Sequence, residues 1–130
     1  MPELLRDIAG RLRQIVGNRR RAPRYAARVP VAVAPPFALE GHTRDLSANG
    51  LAVILPAIRV GGRYLAGENA TLRLTLKLPE GTIKLQAAPV RYEKLEGEEA
   101  GYLIGLKITD LDERDRALYV EHLRALKGRG

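Results

Sequence analysis

Apolar residues change their spacing twice along the chain, and the stretches so defined predict a helix, then strands, then a helix. Over residues 3–16, Leu4, Leu5, Ile8, Leu12, Ile15 and Val16 recur at helical spacing. Arg6, Asp7, Arg11, Arg13 and Gln14 fill the rest of the wheel. Gly17-Asn18 is a stop signal. Residues 19–24 are polar, contain Pro23 and have no period, so they are expected to form a loop. From Val29 the period becomes two. Residues 29–33 predict a first strand, with Pro30 suited to its start or to a sheet edge. Residues 38–46 predict a second strand and residues 51–55 a third, separated by the turn formers of 45–50. A loop over 56–69 follows. In residues 71–78, Leu72, Leu74, Leu76 and Leu78 face one way and Thr71, Arg73, Thr75 and Lys77 the other. After a turn at Pro79-Glu80-Gly81, Ile83, Leu85 and Ala87 continue the alternation. It then slips to Ala88, Val90 and Tyr92, which predicts a bulge near Ala87-Ala88. Past an acidic loop, residues 102–108 are the sixth strand. Asp112 is a good N-cap for a closing helix. Glu113 and Asp115 lie at its positive end, Arg124 and Lys127 at its negative end, and Gly128 is its stop.

Six short strands in hairpin order predict an all-β core, a closed or nearly closed antiparallel barrel. A C-terminal α-helix packs on it, and an extra N-terminal amphipathic helix precedes it. The expected organisation is a helical segment over 1–18 and a barrel domain over 19–127.

At 130 residues the chain fits one domain. It has no cysteine, which excludes disulfides and thiolate metal sites. Its apolar stretches fall short of a membrane span, and arginines and Asp7 interrupt any secretory apolar segment after Met1. A soluble, cytoplasmic protein is expected. The net charge of +7 is uneven. Residues 1–28 hold eight arginines against Glu3 and Asp7, while the rest is close to neutral. A basic arm on a neutral body implies an anionic partner.

Enzymatic constellations are missing from the sequence. The two histidines, His42 and His122, are far apart and lack metal-ligand spacing. Ser47 is the only serine, and a triad with His42 and Asp45 would crowd three groups on one strand end. No phosphate-binding glycine loop is present. No catalytic residue, metal or cofactor is expected.

Two motifs remain. Arg20-xxx-Arg24 lies in a dense set of guanidinium forks with Arg19 and Arg21. Such forks grip phosphate bidentately and also fit guanine O6 and N7. On its own the run reads first as a solvated basic linker. Asp45-x-Ser47-x-x-Gly50 combines a carboxylate, a short hydroxyl and a glycine that allows close approach to backbone. On its own it is equally a strand-connecting turn.

Together, in this order and spacing, the two motifs resemble those of the PilZ domain, the cyclic di-GMP receptor module of bacteria. The flanks agree: Tyr25 followed by Val29-Pro30-Val31 looks like the family's entry into its first strand, and Ile104-Gly105-Leu106-Lys107-Ile108 like its last. The resemblance covers about residues 19–127 and selects Arg20/Arg24 over the overlapping Arg24/Arg28. The loop over 56–69 is long for the family, and the helix over 3–16 is an addition to it.

The resemblance implies that Arg20 and Arg24 bind phosphate and the guanine Hoogsteen edge. Ser47 and Gly50 would supply backbone and hydroxyl contacts. Asp45 would accept from guanine N–H groups or hold an arginine in place. Arg19, directly before the motif, implies two intercalated ligand molecules, with Arg19 and Arg21 on the second copy. Tyr92 is a candidate to pack near a base, with ordinary barrel core as the other reading. The implied function is a cyclic di-GMP receptor-adaptor. Ligand binding would order the arginine arm, re-aim the helix over 3–16 and so signal to a downstream protein partner. Two alternatives stand beside it. One is a small nucleic-acid-binding barrel with a basic arm, which scarce aromatics and the neutral body argue against. The other is a ligand-free adaptor of the same fold. The helix over 3–16 lacks Trp and Phe, which favours packing, or a homodimer through it, over membrane anchoring.

Overall fold

The computed structural model describes residues 22–65, 70–97 and 100–129. The expected helix over 3–16, and Arg19, Arg20 and Arg21, lie outside the described residues.

Alternating leucines build the wall that the sequence makes most obvious. In β7 (Leu72–Leu78) all four leucines are buried, while Arg73, Thr75 and Lys77 are solvent-facing or half-buried. Its neighbours are β2 (Pro30–Val33) on one edge and β8 (Gly81–Leu95) on the other. The ring continues from β2 to β3 (Leu39–Leu46), β4 (Gly50–Leu55), β9 (Gly101–Asp110) and back to β8, with every pairing antiparallel. These six strands form a closed barrel. Closure gives each of the six a partner on both sides, with β8 running on past β7 after Ala87. The inward residues, among them Val31, Val33, Leu46, Leu51, Val53, Leu74, Leu76, Ile83 and Ile104, make one core.

The helix α1 (Glu113–Arg129) lies over the barrel end where the β3–β4 and β7–β8 turns sit. Asp112 caps it, its Oδ1 accepting from the Asp115 N–H at 2.8 Å. Leu118, Leu123 and Leu126 pack on the core, and Tyr119 is fully buried beneath them. His122, also buried, sets Nδ1 3.0 Å from Glu80 Oε1 in the β7–β8 turn.

Four local differences from the sequence pattern are informative. Residues 25–26, which precede the first predicted strand, form β1 (Tyr25–Ala26), which pairs with Leu46 and Asp45 of β3 beyond the end of β2. The loop over 56–69 holds a small hairpin of β5 (Arg59–Val60) and β6 (Arg63–Tyr64). Two-residue strands are too short to show alternation. The helix runs through Gly128 to Arg129 rather than stopping at the glycine. The bulge in β8 falls later than Ala87-Ala88: Ala87 stays buried, Pro89 opposes Leu106, and the extra residue is Val90. Pro89 has no N–H for the ladder, so the register gives way immediately after it. A separate shift beside Ala87 places its extra residue, Thr109, in β9.

Leu76 is completely buried at the middle of the strand between β2 and β8. Truncating Leu76→Ala is expected to lower unfolding free energy by about 2–5 kcal/mol, read as an earlier urea midpoint with an unchanged slope.

Candidate functional site

The turn between β3 and β4 is built by the motif serine. The Ser47 N–H donates to the Gly50 carbonyl at 2.9 Å, and its hydroxyl donates to the same oxygen at 3.2 Å. That hydroxyl also accepts from the N–H groups of Asn49 (3.3 Å) and Gly50 (3.2 Å). Ser47 is only 2% exposed, so these bonds hold its hydroxyl inside the turn. Gly50 answers a steric demand: a methyl group there would lie 2.3 Å from the Leu106 carbonyl oxygen of β9. The Ile108 N–H donates to the Asn49 carbonyl at 2.9 Å, tying the turn to the same strand.

Two residues that carry no motif signal hold this region in place. Tyr119 of α1 donates its hydroxyl to the Ser47 carbonyl at 2.7 Å, with the Gly50 carbonyl at 3.4 Å. Burial pushes the Tyr119 hydroxyl far above the ordinary tyrosine range. Thr43, 1% exposed inside β3, ties down the chain that follows the arginine motif. Its hydroxyl donates to the Ala27 carbonyl at 2.5 Å and accepts from the Val29 N–H at 2.9 Å. A threonine on the inward face of an alternating strand is the one signal that points to it. Tyr119 reads in sequence only as another apolar helix position.

With 27–29 fixed and β1 paired to the end of β3, Arg24 meets Asp45. Arg24 Nε lies 2.9 Å and Nη2 2.6 Å from Asp45 Oδ1. The arginine side chain is half exposed and the carboxylate about a quarter. An ion pair so open to water contributes little stability, on the order of 0–1 kcal/mol. What it fixes is direction, since it aims the guanidinium along the outer wall of the barrel.

That wall has a definite composition. Directly opposed residues share a face of a sheet, and the register runs Asp45–Ala52–Gly105–Arg91 across β3, β4, β9 and β8. A parallel row runs Gly50–Lys107–Ala88. The floor between Asp45 and β8 is therefore made of small residues. Arg24 flanks the Ala52–Gly105 floor on one side and Arg91 on the other, with Lys107 standing beside Gly105 on β9. The opposite wall has a cavity of about 490 Å³ lined by Arg73 and Lys84 but also by Asp110, Asp112 and Asp115. Three carboxylates make it a poor seat for a dianion.

Of the residues expected at the site, Arg24, Asp45, Ser47 and Gly50 come together. Tyr92 does not join them. It opposes Ile104, a core residue, so it leaves β8 on the face opposite to Arg91, Gly105 and Asp45. It is also not barrel core, being 55% exposed on the part of β8 that extends past its pairing with β7. Among the described residues no cluster of His, Asp and Glu is suited to a metal ion, and no helix is long and apolar enough to cross a membrane.

A barrel with two arginine- and Asp-x-Ser-x-x-Gly-bearing segments joined on its outer wall matches one family model, the PilZ domain, over residues 18–125. The chain belongs to the PilZ domain family. Solved structures agree in fold. The PilZ domain of YcgR from Escherichia coli, with c-di-GMP, superposes with a TM-score of 0.66 at 13% identity, over 85% of this chain and 93% of that one. The Bacillus subtilis inhibitor of motility MotI/DgrA gives 0.65 at 24% identity, over 86% of this chain. This chain spans 53% of the length of that protein. No curated protein matches the chain.

Tyr119 supplies a test of how the PilZ turn is braced. Tyr119→Phe leaves the buried Ser47 carbonyl without its side-chain donor and is expected to cost about 1–3 kcal/mol. Unfolded tyrosine loses its proton near pH 10, whereas the folded one keeps it. The folded state then binds more protons, so stability falls as pH rises above about 10, by up to ~1.4 kcal/mol per unit. Urea titrations at pH 8 and pH 11 should show this loss in the natural chain and a smaller one in the Phe variant.

Proposed function

We propose that the chain is a cyclic di-GMP receptor that binds its ligand on the outer wall of the barrel, between the arginine arm and the floor of β4 and β9. The observation that carries the reading is the Arg24–Asp45 contact, which joins the two motifs in one place. Family membership and the fold shared with a c-di-GMP-bound PilZ domain support it. In this reading Arg20 and Arg24 grip phosphate and the guanine Hoogsteen edge with their forks. Asp45 holds Arg24 ready and accepts from guanine N1–H and N2–H₂, a donor pair that adenine lacks. Ser47 and Gly50 shape the turn and keep its backbone close to the ligand. Arg19 and Arg21 contact a second, intercalated ligand molecule.

The output is conformational rather than chemical. Four arginines within residues 19–24 repel one another until ligand phosphates neutralise them. Neutralisation draws the arm onto the wall and re-aims the segment over 1–18 toward a downstream protein partner. The chain then works as an adaptor whose signal is the position of its N-terminal segment.

Isothermal titration with cyclic di-GMP, against GTP and cyclic di-AMP, tests the assignment. Saturable binding selective for cyclic di-GMP is expected, with a stoichiometry near two if Arg19 recruits the second molecule. Losing a charge-assisted fork is worth about 1.5–3 kcal/mol, so Arg24→Ala or Arg20→Ala should weaken binding by at least tenfold. A folded chain that does not bind the dinucleotide would overturn the reading.

A further inference from the structure

We infer that Arg91, which belongs to neither motif, is a second ligand-gripping residue that closes the binding wall from the side opposite Arg24. The inference rests on the receptor reading above and adds to it a residue that takes the far end of the dinucleotide.

The bulge in β8 creates the arrangement. In an unbulged register Val90 would oppose Gly105, and Arg91 would oppose Ile104 with its side chain directed to the inward face. A one-residue slip exchanges the two faces of a strand. With Val90 inserted, Arg91 opposes Gly105 and emerges on the outer wall, and Tyr92 takes the other face in its place. Pro89 sets the slip at this point, and bulges of this kind commonly re-aim a side chain beside a site.

Gly105 then lets the arginine lie down. A methyl group on Gly105 would sit 2.9 Å from Arg91 Cγ and 3.0 Å from Nε, so the stem and guanidinium root occupy the space a side chain would need. Arg91 is thus drawn inward over β9, toward Ala52 and Asp45. Asp45 and Arg91 start three strand spacings apart, about 14 Å. The inward reach of Arg91 narrows the gap to about two spacings, ~10 Å. A ligand with two bases and two phosphates bridges such a gap and meets a fork at each end.

The two forks differ in one respect. Arg24 is held by Asp45. Arg91 is exposed, its stem lying over Gly105, and among the described residues no carboxylate pairs with it. A positioned guanidinium with no anion of its own, facing a floor of small residues, is suited to an incoming acceptor pair. Both a phosphoryl group and the guanine O6/N7 edge supply one.

Isothermal titration of the full chain and three variants with cyclic di-GMP tests this, with thermal melts to show that each is folded. Arg91→Ala should weaken binding at least tenfold. Arg91→Lys, which keeps the charge and loses the fork, should recover only part of that loss. Arg73→Ala, an exposed arginine on the opposite wall, should bind as the natural chain does. Binding by Arg91→Ala within twofold of the natural chain would overturn the inference and leave the receptor reading standing. Full recovery in Arg91→Lys would reduce Arg91 to a bare positive charge and overturn the fork. Failure of the natural chain itself to bind would overturn the receptor reading, and this inference with it.

Discussion

Pairing of β3 on both edges is the constraint from which the site follows. One edge receives β2 and, further along, β1, while the other receives β4 and closes the ring. A strand held on both sides cannot slide by a residue without sending its core face to solvent. The positions of Asp45 and of the Ser47–Gly50 turn are thereby fixed. Because β1 pairs with the same end of β3, Arg24 is also delivered there. Thr43 secures this from inside, its buried hydroxyl bonded to the chain just after Arg24. Tyr119 secures it from the barrel end, bonded to the Ser47 carbonyl. Packing energy is spent on positioning a pair of surface groups whose own attraction is small.

That division of labour suits a receptor. The Arg24–Asp45 pair contributes little to folding, so a ligand can reorganise it at little cost to the barrel. The rigid parts beneath it, the Ser47 turn and the β4–β9 floor, are set by bonds and by close backbone approach at Gly50. Residues 19–24 carry four arginines, and in the proposed reading a multivalent anion would neutralise them together.

The sequence carried the barrel more plainly than the wall. Leu72 to Leu78 alternate so regularly that β7 and its inward face follow from period alone, and Asp112 marks the helix start through cap chemistry. Arg24, Asp45, Ser47 and Gly50 were legible as a spaced pair of motifs, although neither motif was specific by itself. What escaped was set by contacts distant in sequence. β1 exists because of its pairing with Leu46 and Asp45, 19 or more positions away. Tyr119 reaches Ser47 across 72 positions. A break in register near Ala87-Ala88 was legible, but its exact residue was not, because both alanines are small and apolar and either could face inward. The missing N–H of Pro89 decided the matter. The register sends Tyr92 to the face of Ile104 and Arg91 to the outer wall with Gly105.

The central claim is that one face of the barrel, the wall of β3, β4, β9 and β8, receives the ligand. Amide chemical-shift mapping of the ¹⁵N-labelled chain with cyclic di-GMP addresses it most directly. The account predicts perturbations at Arg24, Asp45, the Ser47–Gly50 turn, Ala52 and Gly105, with Arg73, Lys84 and Asp115 unmoved. Perturbations centred on Arg73, Lys84 and Asp115, or none at saturating ligand, would contradict it.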